Sequence, residues 1–193
     1  KEGWKQADYI VEGSYSLPLV HPCYIEPVSC LAEYAADGRL VMWIPAQLNF
    51  SERKLLCTAL GIPEWRMRIR QAHIGGSFGG KIHHKSYVIS GLLALKTRCS
   101  VKMQDTRTEA FQVSYPRLAM EVKAKLGVNK EGIFVAKEME ILADNGAYCD
   151  EGPVVLAVAA DTMDNLYCLE NLHTVAKLVY TNKVPTGAFR GFG

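Results

Sequence analysis

The stretch Ala72-His-Ile-Gly-Gly-Ser-Phe-Gly-Gly-Lys81 constrains this chain more than any other. Gly75, Gly76, Gly79 and Gly80 lie within six residues, and so many glycines are costly in chain entropy. The backbone there must need unusual dihedrals or a close approach. Upstream, Arg66, Arg68 and Arg70 alternate with Met67 and Ile69, which predicts a strand over 65–72. Downstream, an apolar stripe through Val88, Leu92 and Leu95 predicts a helix over 82–98. A strand, a glycine loop and a helix in succession aim several backbone N–H groups at one point, with the helix N-terminus behind them. That is an anion or phosphate site, or else a tight structural loop. It is not a Walker loop, because no Ser or Thr follows Lys81, and Gly75–Gly80 does not fit the dinucleotide pattern G-x-G-x-x-G.

Further strands are expected over 9–17, 30–36, 40–44, 100–103, 120–127, 132–143 and 173–180, with turns at Asp37-Gly38 and Asn129–Gly132. Asn49, with Glu52 three residues on, predicts a capped helix that stops at Gly61 before Pro63. Thr106 with Glu109 predicts a second capping box, and the small apolar run 152–160 a buried helix. Strands and helices are interspersed, so the fold class is α/β, with α+β as the alternative, built on mixed sheets.

Composition narrows the function classes. The 22 basic residues against 20 acidic ones leave a net charge of +2, which gives no electrostatic footprint for nucleic acid. The longest apolar run, Val154 to Ala160, is too short to span a bilayer, so no membrane partner is expected. The six cysteines form no C-x-x-C pair and read as reduced, buried small hydrophobes of a cytoplasmic protein, not as zinc or iron–sulfur ligands. No metal-ligand set is assigned within the chain.

A second phrase, Thr186-Gly-Ala-Phe-Arg-Gly-Phe-Gly193, places Arg190 beside glycines that free its guanidinium for bidentate capture of phosphate or carboxylate; alone it also reads as an ordinary turn. The phrase runs to the last residue, from which an excised piece of a longer polypeptide is expected.

Together the two phrases resemble the large subunit of the molybdenum hydroxylases, the xanthine dehydrogenase and aldehyde oxidase family. His21-Pro-Cys-Tyr-Ile-Glu-Pro27, Pro45-Ala-Gln47 with Gly61-Ile-Pro63, Asp105-Thr-Arg-Thr-Glu109, Met163-Asp-Asn-Leu-Tyr167 and Thr181-Asn-Lys-Val-Pro185 extend the likeness over nearly the whole chain. The resemblance implies a single excised portion of the molybdopterin-binding domain, or two lobes over about 1–105 and 106–193. It gives Gln47 the place of the glutamine whose amide approaches an oxo group of the molybdenum centre. An amide can donate there without adding charge. Gly76, Phe78 and Gly79 match the loop against the molybdopterin, and Ala188, Phe189 and Arg190 the segment on the pterin's other flank. Phe192, Ile82 and Val158 fall at substrate-pocket positions.

Two departures bear on substrate. Purine-oxidising relatives carry a Glu after the loop lysine, where this chain has Ile82; an anchoring Arg expected near Val158 is absent from 153–163. Losing a charge-assisted hydrogen bond forfeits about 1.5–3 kcal/mol, which favours an aldehyde or N-heterocycle over xanthine as the small-molecule substrate. The resemblance implies hydroxylation with water-derived oxygen. The general base is a Glu in a downstream Gly-x-Gly-Glu phrase, outside this chain, so the fragment carries cofactor-binding residues but is expected to be empty and inactive in isolation. Molybdopterin, in its simple or cytosine-dinucleotide form, is the implied cofactor. A downstream molybdenum domain and iron–sulfur and FAD domains or subunits are the implied partners. A non-catalytic binding or assembly module of the same fold, a purine dehydrogenase with a divergent pocket, and an unrelated phosphate-binding domain are the alternatives. His83-His84, His21 with Glu26, the Arg66–Arg70 face, the Asp144-Asn145-Gly146 turn and the three tryptophans are read as structural.

Overall fold

Alternation of apolar and polar side chains does set the strands, and the chain runs β1 (Tyr9–Leu17), β2 (Ser29–Tyr34), β3 (Leu40–Ile44), α1 (Asn49–Leu60), β4 (Met67–Gln71), α2 (Lys85–Thr97), β5 (Val101–Gln104), α3 (Arg107–Val113), β6 (Ala119–Val128), β7 (Phe134–Gly146), α4 (Gly152–Thr162) and β8 (Leu172–Tyr180). The computed structural model describes residues 2–163 and 165–192. Lys1, Asp164 within the Met163–Tyr167 phrase, and Gly193 at the end of the terminal glycine phrase lie outside the described residues. The fold is mixed α/β, with two mixed sheets.

The chain divides into two compact units, His21–Ser114 and the combination of Lys1–Val20 with Tyr115–Gly193. The sequence expectation was a single portion of one domain, with two lobes divided near 105 as the alternative. The observed units interleave because β1 pairs antiparallel with β6, from Tyr9 opposite Val128 to Leu17 opposite Met120. Distant pairing of this kind leaves no local sequence signal.

In the first unit the sheet order is β4-β3-β2-β5, with β2 antiparallel to β3 and β5 and β3 parallel to β4. β3 alternates fully, so Leu40, Met42 and Ile44 are all buried in a core with Tyr24, Leu56 and Tyr87. Burying each large apolar side chain contributes about 1.5–3 kcal/mol. Gly91 on α2 faces Leu40 and Met42, where an added Cβ would meet their side chains at 3.4 Å and Leu60 at 3.0 Å. In the second unit the order is β1-β6-β7-β8, with β7 and β8 parallel. Val155, Leu156 and Ala159 of α4 are buried, as are Met139, Ile141 and Ala143 of β7. Glu12, on β1, pairs with Lys125 across the β1–β6 register at 2.6 Å.

Several local expectations change. Asn49 does not cap α1: the N-cap is Leu48 without a side-chain bond, and Glu52, fully buried, is engaged elsewhere. The C-terminal stop holds, since Gly61 adopts a left-handed φ of 66°. The 65–72 strand opens as a 3-10 turn and becomes extended only at Met67. α2 starts at Lys85, not residue 82, because His83 has a φ of 50° and His84 is the N-cap, its ring accepting from the Ser86 N–H. Asp144-Asn145-Gly146 is the end of β7, not a turn. Only Cys30 and Cys57 are buried; Cys23, Cys99, Cys149 and Cys168 are exposed. Among the described residues no helix is long and apolar enough to cross a membrane.

Candidate functional site

Parallel pairing of β3 with β4 delivers both strands' C-terminal ends to one edge of the sheet, the edge at which open α/β sheets place ligands. Gln47 follows β3 and the glycine loop follows β4. The two exits are tied together: the Ala72 N–H donates to the Ile44 carbonyl at 3.3 Å, and the Gln71 amide donates to the Ala46 carbonyl at 3.0 Å.

Three side-chain oxygens then hold the loop at intervals of four residues. The Gly75 N–H donates to Glu26 Oε2 at 2.8 Å, the Gly79 N–H to Gln47 Oε1 at 2.9 Å, and the His83 N–H to Glu52 Oε2 at 3.1 Å. Between these ties the backbone takes left-handed φ values at Gly76 (88°), Phe78 (52°) and Gly79 (96°). Phe78 is the informative one, because a bulky side chain in that region is strained and persists only where its surroundings over-determine it. Gly76 is required there: an added Cβ would sit 2.9 Å from the Phe78 ring.

Gln47 is assigned without ambiguity of its amide. A backbone N–H can only donate, so the end facing Gly79 is the oxygen, and the same oxygen accepts from Ser77 Oγ at 2.5 Å. The residue is exposed, and the NH2 group is the amide's other end, the one that can donate. The arrangement presents the neutral NH2 of Gln47 beside a left-handed loop backbone, and a neutral donor of this kind suits an oxygen ligand of a pterin cofactor better than it suits a cation.

Beneath the loop lies a charged pair that the sequence pattern leaves unassigned. Lys81 is completely buried, yet its ammonium reaches Glu26 Oε2 at 2.6 Å and lies 5.1 Å from the Tyr24 ring centroid. Burial pushes the Glu26 carboxyl up, but the bonds from Lys81 and the Gly75 N–H, with the Lys81 charge, outweigh it and hold its pKa below the usual carboxylate range. Gly80 packs against Tyr24 and Pro22, where a Cβ would stand 2.6 and 3.0 Å away. His21 is structural: its Nδ1 accepts from the Cys23 N–H at 2.9 Å, which leaves Nε2 to donate to the Ala110 carbonyl at 3.1 Å.

The helix terminus expected behind the loop does not serve that purpose. α2 begins five residues past Gly80, and the His84 ring occupies the Ser86 N–H while lying 3.2 Å from the Asp105 carboxylate.

In the other unit, the segment from Thr186 is fastened to the end of β7. The Thr186 N–H donates to the Asn145 carbonyl at 3.2 Å, and the Gly187 N–H to the Pro116 carbonyl at 3.0 Å. Asp144 accepts from Thr181 Oγ1 at 2.6 Å, Lys183 Nζ at 2.8 Å and the Gly146 N–H at 3.0 Å. Burial raises the Asp144 carboxyl, but these partners together lower its pKa below the ordinary value. Ala188 is buried, Phe189 is half-buried with the Arg117 and Arg190 guanidiniums 5.7 and 5.8 Å from its ring centroid, and Arg190 is exposed.

The structure thus brings Gln47, Gly76, Phe78 and Gly79 into one assembly, and Ala188, Phe189 and Arg190 into a second. Of the pocket positions, Ile82 is buried two residues past Gly80, Val158 is half-buried on α4, and Phe192 is half-buried. Ser77, Glu26, Lys81 and Glu52 shape the loop and carry no sequence signal for it. Local spacing makes Glu52 a cap, and nothing local shows that its carboxylate serves a turn thirty-one residues on.

The sequence matches the family described as "Molybdopterin cofactor-binding domain" over residues 1–193. It is 36% identical over 190 residues to the nicotinate dehydrogenase large molybdopterin subunit of Eubacterium barkeri, covering 98% of this chain and 45% of that protein. It is 29% identical over 188 residues to the xanthine dehydrogenase molybdenum-binding subunit of Escherichia coli O157:H7, covering 97% of this chain and 25% of that protein. The fold superposes on the aldehyde oxidoreductase of Desulfovibrio gigas with a TM-score of 0.94 at 24% identity, covering all of this chain and 21% of that one. The chain therefore spans less than half the length of each.

Proposed function

Since the chain belongs to the molybdopterin cofactor-binding domain family, we propose that it is the cofactor-facing part of a molybdenum-dependent oxidoreductase that oxidises an aldehyde or an N-heterocycle. The observation that carries this reading is the Gln47 amide, whose oxygen accepts from Ser77 Oγ and the Gly79 N–H, so that its NH2 group is the end left as a donor. Gln47, Gly76, Phe78 and Gly79 in one unit, and Ala188, Phe189 and Arg190 in the other, are the residues assigned to the cofactor. When bound, the molybdenum cofactor supplies the redox chemistry of hydroxylation with water-derived oxygen. This chain's own part is to bind and orient. The Gln47 NH2 donates without bringing charge, and the strained loop backbone offers a surface fixed before ligand arrives, which avoids ordering it on binding.

The general base is assigned to a glutamate outside this chain. Glu26 is committed to Lys81 and Gly75, and Glu109 to its capping box, so neither is available for that role. Iron–sulfur clusters and FAD on other domains or subunits, a downstream molybdenum domain and a cytoplasmic setting complete the proposal. The pterin is taken in either its simple or its cytosine-dinucleotide form.

Ile82 offers no carboxylate to a purine, and the relative named for nicotinate is a heterocycle dehydrogenase. Steady-state turnover of the matured full-length parent tests the substrate class. An aldehyde or a nicotinate-type heterocycle should be oxidised with a kcat/KM at least tenfold above that for xanthine. Preferential xanthine turnover would keep the family and overturn the argument from Ile82.

A further inference from the structure

We propose that Ser77 is a positioning residue for Gln47: its hydroxyl fixes the plane in which the Gln47 amide presents its NH2 group to the cofactor. The inference rests on the proposed function and adds a residue to it. The Gly79 N–H, at 2.9 Å, already decides which end of the amide is oxygen. One hydrogen bond to one oxygen, however, leaves the amide free to swing about that contact. The second donor, Ser77 Oγ at 2.5 Å on the same Oε1, removes that freedom. Both donors come from the same turn, one residue apart on either side of Phe78. That turn is closed by the Gly80 N–H on the Ser77 carbonyl at 2.9 Å.

Ser77 is well placed to be rigid. It is 6% exposed, and its hydroxyl proton is used on Gln47. Gln47 itself is on the exposed end of the β3 exit, where a lone side chain would sample several rotamers. A buried serine holding an exposed glutamine makes the amide direction a property of the loop. The loop's strained φ at Phe78 then sets the amide and the neighbouring backbone together.

The test compares wild type, Ser77→Ala and Ser77→Thr in the full-length parent. Four readouts are taken: molybdenum content, kcat and KM separately, the electron paramagnetic resonance spectrum of the reduced metal, and the Gln47 conformation in crystals of cofactor-free protein. Ser77→Ala should keep its molybdenum and its KM while kcat falls about three- to tenfold, the worth of one neutral hydrogen bond. Its spectrum should shift and the Gln47 amide should spread over more than one orientation. Ser77→Thr, which keeps the hydroxyl, should restore kcat to within about twofold of wild type. A Ser77→Ala protein with wild-type kcat and a single Gln47 orientation overturns the proposal. So does a loss of kcat that merely follows lost molybdenum, which marks a structural role. A wild-type parent without molybdenum would fail the proposed function instead, and the cofactor-free crystals would still decide the orientation claim.

Discussion

Glu26 carries more of the loop than its place in an early, separate segment suggests. Its Oε2 takes both the Lys81 ammonium and the Gly75 N–H, and its own N–H returns to the Gly75 carbonyl at 3.3 Å. Replacing Glu26 by Gln leaves the wholly buried Lys81 charge without its counter-charge. Full burial of such a pair would cost 3–5 kcal/mol on breaking; with the Glu26 side chain 39% exposed, about 2–4 kcal/mol is expected in denaturant melts. Because the folded carboxyl titrates below its unfolded value, its contribution is complete above the unfolded pKa and is lost as pH falls through the folded one. The stability gap between wild type and Glu26→Gln should therefore narrow as pH drops below the ordinary carboxylate range. A gap that stays constant with pH would detach the effect from this carboxylate. At the same scale, the glycines make the 75–80 loop itself legible in the sequence, while Gln47 enters only through the family resemblance. Glu26 and Lys81 had no pattern to show their partnership, since the pair is fifty-five residues apart and one member is a buried lysine.

Elements were legible where one local signal decided them. The Thr106–Glu109 capping box is present in full, with Glu109 Oε2 accepting from the Thr106 N–H at 2.7 Å, and α3 starts where it predicts. The Asp37-Gly38 turn and β3 likewise follow from turn chemistry and period-two alternation. Where two signals competed, the tertiary one won. An apolar stripe carries the second helix back to residue 82, but the His83 tie to Glu52 twists the backbone and delays α2 to Lys85. Asp-Asn-Gly spells a turn, yet Asn145 and Gly146 are buried at the end of β7, fastening the 181–187 segment. Gly146 has a φ of 75° and an added Cβ would come 2.2 Å from the Val184 carbonyl oxygen, so no side chain fits without moving backbone. Gly146→Ala should destabilise by about 2 kcal/mol or more, whereas Gly132→Ala, with a similar φ but open space around it, should cost about 1 kcal/mol. Equal losses at the two glycines, read by the same denaturant melts, would contradict the crowding argument.

For the molecule as a whole, the fold class followed from mixed strand and helix signals, but the division of the chain did not. β1 is recruited by β6, so the first twenty residues join the second half. Sequence periodicity reports which face of a strand is buried and is silent about which strand lies beside it. The family match runs over residues 1–193, and the chain spans less than half the length of the relatives it matches. The central claim is that the Gln47 amide and the Phe78–Gly79 backbone face molybdenum. Anomalous X-ray diffraction from crystals of the matured full-length parent, collected on both sides of the molybdenum absorption edge, tests it directly. A single molybdenum peak beside the Gln47 amide nitrogen and the Phe78–Gly79 loop is the predicted result. A peak remote from that loop, or none in a matured protein, would contradict it.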